Sequence, residues 1–302
     1  MLTLTEDKLT QIFIEVDDFL KEFQPQIQQH LLGQPRQPDS KLHPSEIITI
    51  AICYHFSRMD CFKSYYLLWL RPKLRSYFPH LPSYERFVTL KKHYLLEMFC
   101  FLSSRMAVPS PKANYIDSKK LESCHIKRAS QHKVMKGLAA KGKTSVGWFY
   151  GLKIHLIVNE FGQLCNFTIT AGNIADNNED VLRTMFKNLY GRFFGDKGYL
   201  TKLKDELRQR GVELITKRKK NMKKVQMSAD QAHYLKQRGL IETVLGLLTF
   251  QTDIDHTRHR SLTGMFINLF TALIAYTYLD NTPMVREFKQ INQIESFKDL
   301  LR

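Results

Sequence analysis

Between Thr5 and Arg105 the apolar residues recur mostly three and four apart, as in LTQIFIEVDDFLKEF and SEIITIAICYHFSRM, and this spacing predicts helices. A polar stretch from Gly33 to Pro44, with Pro35, Pro38 and Pro44, interrupts them, and Ser45 is placed to cap the helix that follows. Val108 to Asn114 (VPSPKAN) carries Pro109 and Pro111, and beyond it the period changes from helical to strand-like. NYIDSKKL reads as a short strand, GWFYGLKIHLIVNEFGQLCNFTITAGN as a hairpin turning at Glu160 to Gly162, and ADNNEDVLRTMFKNLY as a helix. There follow the strand RFFGDKGYL, the helical TKLKDELRQRG, the strand VELITKR, a basic connection and a helix that holds Glu242. Strands that first meander and then alternate with helices imply a mixed sheet with helices on its faces, an α/β fold. The expected organisation is an all-helical N-terminal domain over residues 1–108 and an α/β domain over 109–302.

A chain of 302 residues is long enough to bury a substantial core in each part. Its net charge of +16 and pI near 9.6 change the picture more, because they point away from an ordinary metabolic enzyme and toward nucleic acid or an anionic membrane surface. Membrane is the weaker choice. The longest weakly charged run, Gly264 to Leu279, is shorter than the roughly 20 residues needed to span a bilayer and contains Asn268 and Thr271, so it reads as a buried helix. Glu6, Asp7, Glu15, Asp17 and Asp18 break up the pattern of a secretory signal. Five scattered cysteines without a CxxC pair argue against a disulfide framework or zinc ribbon and fit a reducing cytoplasm.

Against this basic background, Asp117, Asp196 and Glu242 each stand inside or beside an apolar run. A carboxylate in such a place is costly unless it is paired or bound to a cation. Hard divalent ions such as magnesium prefer carboxylate oxygens, and adjacent pairing of the strands bearing Asp117 and Asp196 would bring two of them together, with Glu242 approaching from a helix. Two such ions about 4 Å apart would activate a water or a sugar hydroxyl for displacement at phosphorus. Taken singly, each acid also has an ordinary reading. Asp117 with Ser118 suits a strand-end turn, Gly195 and Gly198 suit a tight turn around Asp196, and Glu242 suits the wet face of an amphipathic helix.

In order along the chain, YIDSKKL, GWFYGLKIHLIVN with TAGNIAD, FGDKGY, LITKRKKNMK, RGLIETVLGLL and HTRHRS resemble the DDE transposases of bacterial insertion sequences, over about Tyr115 to Tyr278. The resemblance implies a ribonuclease H-like catalytic domain, with Asp117, Asp196 and Glu242 as the catalytic metal ligands and Asp196 as the bridging one. It implies magnesium, with manganese also usable, and double-stranded DNA, both transposon ends and target, as the substrate. Hydrolytic cutting of the ends followed by joining of their 3′-hydroxyls to target DNA is the implied reaction. A homo-oligomer assembled on DNA, in a bacterial cytoplasm and away from membranes, is the implied setting. A nuclease that cuts without joining and a DNA-binding regulator that no longer catalyses are the alternatives. A related signature of Tyr, Arg, Glu and Lys on the last catalytic helix is only partly present. Arg238 lies one turn before Glu242, while Leu235 and Thr249 fill the Tyr and Lys slots, which speaks against a hairpin-forming mechanism.

Arg238 is a candidate phosphate contact because residues four apart share a helix face, and Gly239 and Gly246 on that face leave room for a DNA backbone. From Lys119 to Lys143 the cations Lys119, Lys120, Lys127, Arg128, Lys133, Lys136, Lys141 and Lys143 face one acid, Glu122, and KRKKNMKK repeats the pattern with Lys217, Arg218, Lys219 and Lys220. Such runs are either solvated loops or phosphate grips that do not read sequence. Arg258 and Arg260, beside His256 and His259, read as phosphate contacts or as a polar loop, with too few ligands for zinc. Asp176 reads as the cap of the next helix, with support of the acids as its other role. His155 is a core histidine or an active-site neighbour. Tyr65, Tyr66, Trp69 and Tyr77, interleaved with Arg71, Lys73 and Arg75, read as a helix packing its aromatics inward, or as a surface that recognises transposon ends.

Overall fold

The structure, a computed structural model, describes residues 4–30, 40–217, 221–222, 226–255 and 259–286. Helix α1 (Glu6–His30) buries Leu9, Ile12, Val16 and Leu20, the stripe its three-and-four spacing dictates. Helix α2 (Pro44–Cys53) has Pro44 in its first turn, where a missing N–H costs nothing. Its cap is His43 rather than Ser45: the His43 ring accepts the Ser45 N–H, the Glu46 carboxylate reaches back to the His43 N–H, and Ser45 itself is buried. After it come α3 (Phe62–Ser64), a π-helical turn (Tyr65–Leu70), α4 (Arg71–Lys73), α5 (Tyr84–Leu90) and α6 (Leu95–Ser104). Tyr65 and Tyr66 are fully buried and donate to the carbonyls of Ile50 and Pro82, at 3.0 and 2.8 Å, so these two aromatics pack inward.

The sheet has six strands, β1 (Asn114–Cys124), β2 (Ala140–Thr144), β3 (Gly147–Asn159), β4 (Leu164–Ala171), β5 (Gly191–Gly195) and β6 (Val212–Thr216). Their order is β2-β3-β1-β5-β6, with β4 also paired to β3; pairings among the first four strands are antiparallel, and β1-β5 and β5-β6 are parallel. The helices are α7 (Glu179–Met185), α8 (Lys204–Gln209), α9 (Ala229–Lys236), α10 (Gly239–Thr252) and α11 (Leu262–Tyr276). The mixed sheet, its flanking helices and the helical N-terminal region agree with the pattern of the chain.

Three details differ from it. Strand β1 runs on past Leu121, where the expected strand NYIDSKKL ends, to Cys124. Strand β2, AKGKT, lies inside the charged segment, where no apolar alternation could reveal it. Gly142 permits it to pair, because a Cβ there would lie 2.1 Å from the Gly172 carbonyl oxygen. The glutamate-bearing helix is two helices, α9 and α10, parted at Gln237 and Arg238.

Strand alternation sends side chains to two cores. Tyr115, Leu152, Ile154, Leu156, Val158 and Phe194 join a large core with residues of α1, α2, α6, α10 and α11. Ile116, Ile157, Phe193 and Leu214 join a smaller one with residues of α7 and α8. Helix α11 is buried from Met265 to Tyr276 on most of its surface, and the Tyr276 hydroxyl donates to the Gly162 carbonyl at 2.7 Å, tying the helix to the β3-β4 turn. No helix among the described residues is long and apolar enough to cross a membrane. All five cysteines are free.

Candidate active site

Strands β1 and β5 run parallel with Asn114 opposite Phe193 and Tyr115 opposite Phe194. Asp117 and Asp196 each stand two residues beyond that last pair, so the pleat directs both to the face that carries Tyr115, Phe194 and α10. Asp196 has just left β5 and caps the turn Lys197–Tyr199, its Oδ1 accepting the Gly198 N–H at 2.7 Å. A Cβ on Gly198 would sit 2.8 Å from that oxygen, so this glycine makes the carboxylate's position possible.

Asp117, whose side chain is 21% exposed, accepts the Ser118 N–H through Oδ1 at 2.8 Å and the Arg238 Nη1 through Oδ2 at 2.9 Å. Burial pushes its pKa up to about 6; Ser118 and Arg238 oppose the rise, and the neighbouring Asp196 adds to it. The other arm of Arg238, Nη2, donates to the Glu242 carboxylate one turn along α10. The guanidinium thus joins two acids that are 125 positions apart in the chain, while its Nε is buried without a partner. Glu242 is 58% exposed. Asp117 and Asp196 are therefore direct neighbours, whereas Glu242 is linked to Asp117 through Arg238.

With this geometry in hand, comparison with known families is decisive: residues 110–262 match the family described as the transposase DDE domain. The chain belongs to the DDE transposase family. No curated protein and no solved structure matches it. Membership makes the mixed sheet a ribonuclease H-like α/β fold and the protein a transposase-type enzyme, with DNA binding implied by the family.

DDE transposase domains generally use divalent metals, and the residues of this one fit such an ion in part. Asp117 and Asp196 are paired oxygen donors on a desolvated face, and the repulsion that helps raise Asp117 is what a hard cation relieves. The third donor is not gathered with them. Among the described residues no three of His, Cys, Asp and Glu cluster tightly enough to hold a metal. The reason is local, since Arg238 satisfies Asp117 and Glu242 at once and keeps the glutamate on its own side of the guanidinium.

Behind the aspartates lies a network that the pattern of the chain does not disclose. Asp176 is not the cap of α7; Asn178 is, accepting the Val181 N–H at 3.1 Å. Asp176 instead accepts from Ser118 Oγ at 2.9 Å and Lys153 Nζ at 2.7 Å, and lies 4.0 Å from His155 Nδ1. His155 is fully buried, bonds Thr170 Oγ1 through Nε2 at 3.0 Å, and is held below the usual histidine range by burial, so it is a core histidine beside Asp176, on the sheet face opposite Asp117. The signal for Lys153 was its place two residues from His155, on the side of β3 that faces Ser118's side of β1.

Of the cations expected on DNA, Lys119 pairs with Asp255 at 3.3 Å and Lys120 with Glu122 at 2.5 Å. Lys127, Arg128, Lys133, Lys136, Lys141, Lys143, Lys217 and Arg260 are exposed. Arg218, Lys219, Lys220, His256 and Arg258 lie outside the described residues.

Proposed function

We propose that this DDE transposase cuts the ends of an insertion sequence and joins the resulting 3′-hydroxyls to target DNA, with Asp117, Asp196 and Glu242 as its catalytic carboxylates. The observation that carries this reading is the parallel β1-β5 register, which sets Asp117 beside Asp196 on the face where α10 brings Glu242. Asp117 and Asp196 would hold magnesium or manganese, joined by Glu242 once Arg238 has let it go. Bound there, the ion supplies Lewis-acid activation of the attacking oxygen and neutralises charge at phosphorus. The chain's own residues do the rest. Arg238 is four residues from Glu242, and when a phosphate draws it off the carboxylates its bidentate fork suits that oxyanion. Gly239 and Gly246 have open space where side chains would stand, which leaves a DNA backbone room to approach α10. Ser118, Lys153 and Asp176 brace β1 from the opposite face so that Asp117 keeps its direction. The exposed cations of residues 127–143 hold the duplex without reading its sequence.

In this reading residues 1–108 form the part that recognises DNA ends or assembles the complex, residues 109–302 form the catalytic part, and two DNA ends are held by a homo-oligomer in a bacterial cytoplasm. The test uses the purified protein with the DNA that flanks its gene. Magnesium should yield cut ends and, with target DNA present, joined products, and Asp196→Asn should abolish both while binding persists. Cutting without joined products would leave a nuclease, and binding that ignores magnesium and Asp196→Asn alike would leave a regulator.

A further inference from the structure

Strand β3 is flanked along one edge by β1 and along the other by two strands laid end to end, β2 opposite residues 147–151 and β4 opposite 152–158. Among the described residues no strand pairs the far side of either, so β2 and β4 together form one border of the sheet. An open border invites a second chain to pair with it, and charge is the usual deterrent. Half of this border has that guard, in Lys141 and Lys143 of β2. The other half, β4, reads LCNFTITA and has none. Register shows which backbone groups β4 offers. The Gly172 N–H donates to the Gly151 carbonyl at 3.0 Å, and ladder bonds recur at every second residue. Thr168 and Thr170 therefore bond β3, while Phe167, Ile169 and Ala171 turn their N–H and C=O groups outward. In keeping with this, the Phe167 N–H donates to the side chain of the adjacent Asn166, at 2.8 Å.

Beside those groups, between β4 and α6, lies a cleft of about 470 Å³ lined by Phe99, Phe167 and Phe270, whose ring centroids are 5.4 to 6.2 Å apart. No charged residue among the described ones lines it, in a chain of which 25% is charged. Phe99 is 41% exposed and Leu96, one turn earlier on α6, 48%, so the apolar surface continues from the cleft onto the helix. A surface without cations suits DNA poorly. A second copy of this chain suits it on two counts. Two molecules that each carry a net charge of +16 repel, and an uncharged face is where they approach at least cost. The strand is also complementary to itself. Antiparallel pairing about a two-fold axis at Ile169 sets Ile169 against the partner's Ile169 and Phe167 against the partner's Ala171, large against small, and closes about six backbone hydrogen bonds. That axis also lays the two α6 helices side by side on one face, with Leu96 and Phe99 at the seam. We propose that two copies of this chain join through their β4 edges into one continuous sheet. The inference gives a surface to the homo-oligomer of the preceding reading and uses none of its chemistry.

Sedimentation velocity of the full-length protein without DNA tests it. At about 100 μM the wild type should run as a dimer that dissociates on dilution. Deuterium exchange at the Ile169 and Ala171 amides should slow as the dimer forms. Two variants probe the border from its two sides. Thr168→Lys gives β4 the guard that β2 has, at a half-buried position, and Phe99→Glu places a charge on the exposed side of α6. Each should weaken the dimer by about tenfold or more, while its monomer melts within about 2 °C of the wild-type monomer. A protein that stays monomeric at that concentration overturns the inference and leaves the border to an extended segment of another protein. A dimer that neither variant weakens, or whose β4 amides exchange as fast as the monomer's, overturns it too. Because neither readout needs DNA or metal, a dimer that never cuts sinks the transposase reading alone, and a monomer that cuts and joins sinks this inference alone.

Discussion

Asp117 is a carboxylate that meets its proton near neutrality, which makes its readiness for a cation depend on pH. With its pKa pushed up to about 6 by burial, a proton and the proposed metal would compete for it between about pH 5 and pH 7. Magnesium affinity should fall about tenfold between pH 7.5 and pH 5, measured by calorimetric titration, and Asp117→Asn should lose both the affinity and its pH dependence. Stability moves the opposite way. The folded value lies above the unfolded one, so ionising Asp117 costs the fold nothing at pH 4, an increasing amount as pH rises through about 6, and its full cost beyond. Without metal, Asp117→Asn should melt with wild type at pH 4 and gain about 1–2 kcal/mol at pH 7.5, the gain being reduced by the lost Arg238 bond. Thermal melts across that range check the sign.

At the scale of elements, glycines decide where strands can lie. A Cβ on Gly151 would fall 2.0 Å from the Leu121 carbonyl oxygen, so Gly151→Ala should part β3 from β1 and cost about 2–3 kcal/mol, seen as a drop in melting temperature of about 5–10 °C. Gly246→Ala, with open space at its Cβ inside α10, should instead stabilise that helix by about 0.5–1 kcal/mol. The elements themselves were mostly legible in the chain, because helical and strand periods are consequences of one-sided burial. Strand β2 was not, since AKGKT has lysines on one face and only Ala140, Gly142 and Thr144 on the other, and it lies close to Gly172 because Gly142 has no side chain. The two aspartates stood out because a carboxylate among apolar residues demands an explanation. The partners of Asp176 and the Arg238 link did not, because they depend on which strands and helices become neighbours, and Asn178 only two residues on was as good a cap.

The whole molecule carries a net charge of +16, and a dense run of exposed cations lies in residues 127–143. If six to ten phosphates are contacted, DNA affinity should fall roughly a thousandfold or more between 50 and 200 mM salt, and Lys133→Ala with Lys136→Ala should shallow that slope by about two contacts, measured by fluorescence anisotropy. Helix α11 adds a constraint of another kind. It packs against α2 and α6 on one side and α10 on another, so a late stretch of chain completes a core begun by the earliest helices. A nascent polypeptide still lacking that stretch leaves the helix bearing Glu242 resting chiefly on β1 and the Tyr54–Phe56 turn, so its final seating waits on α11 leaving the ribosome.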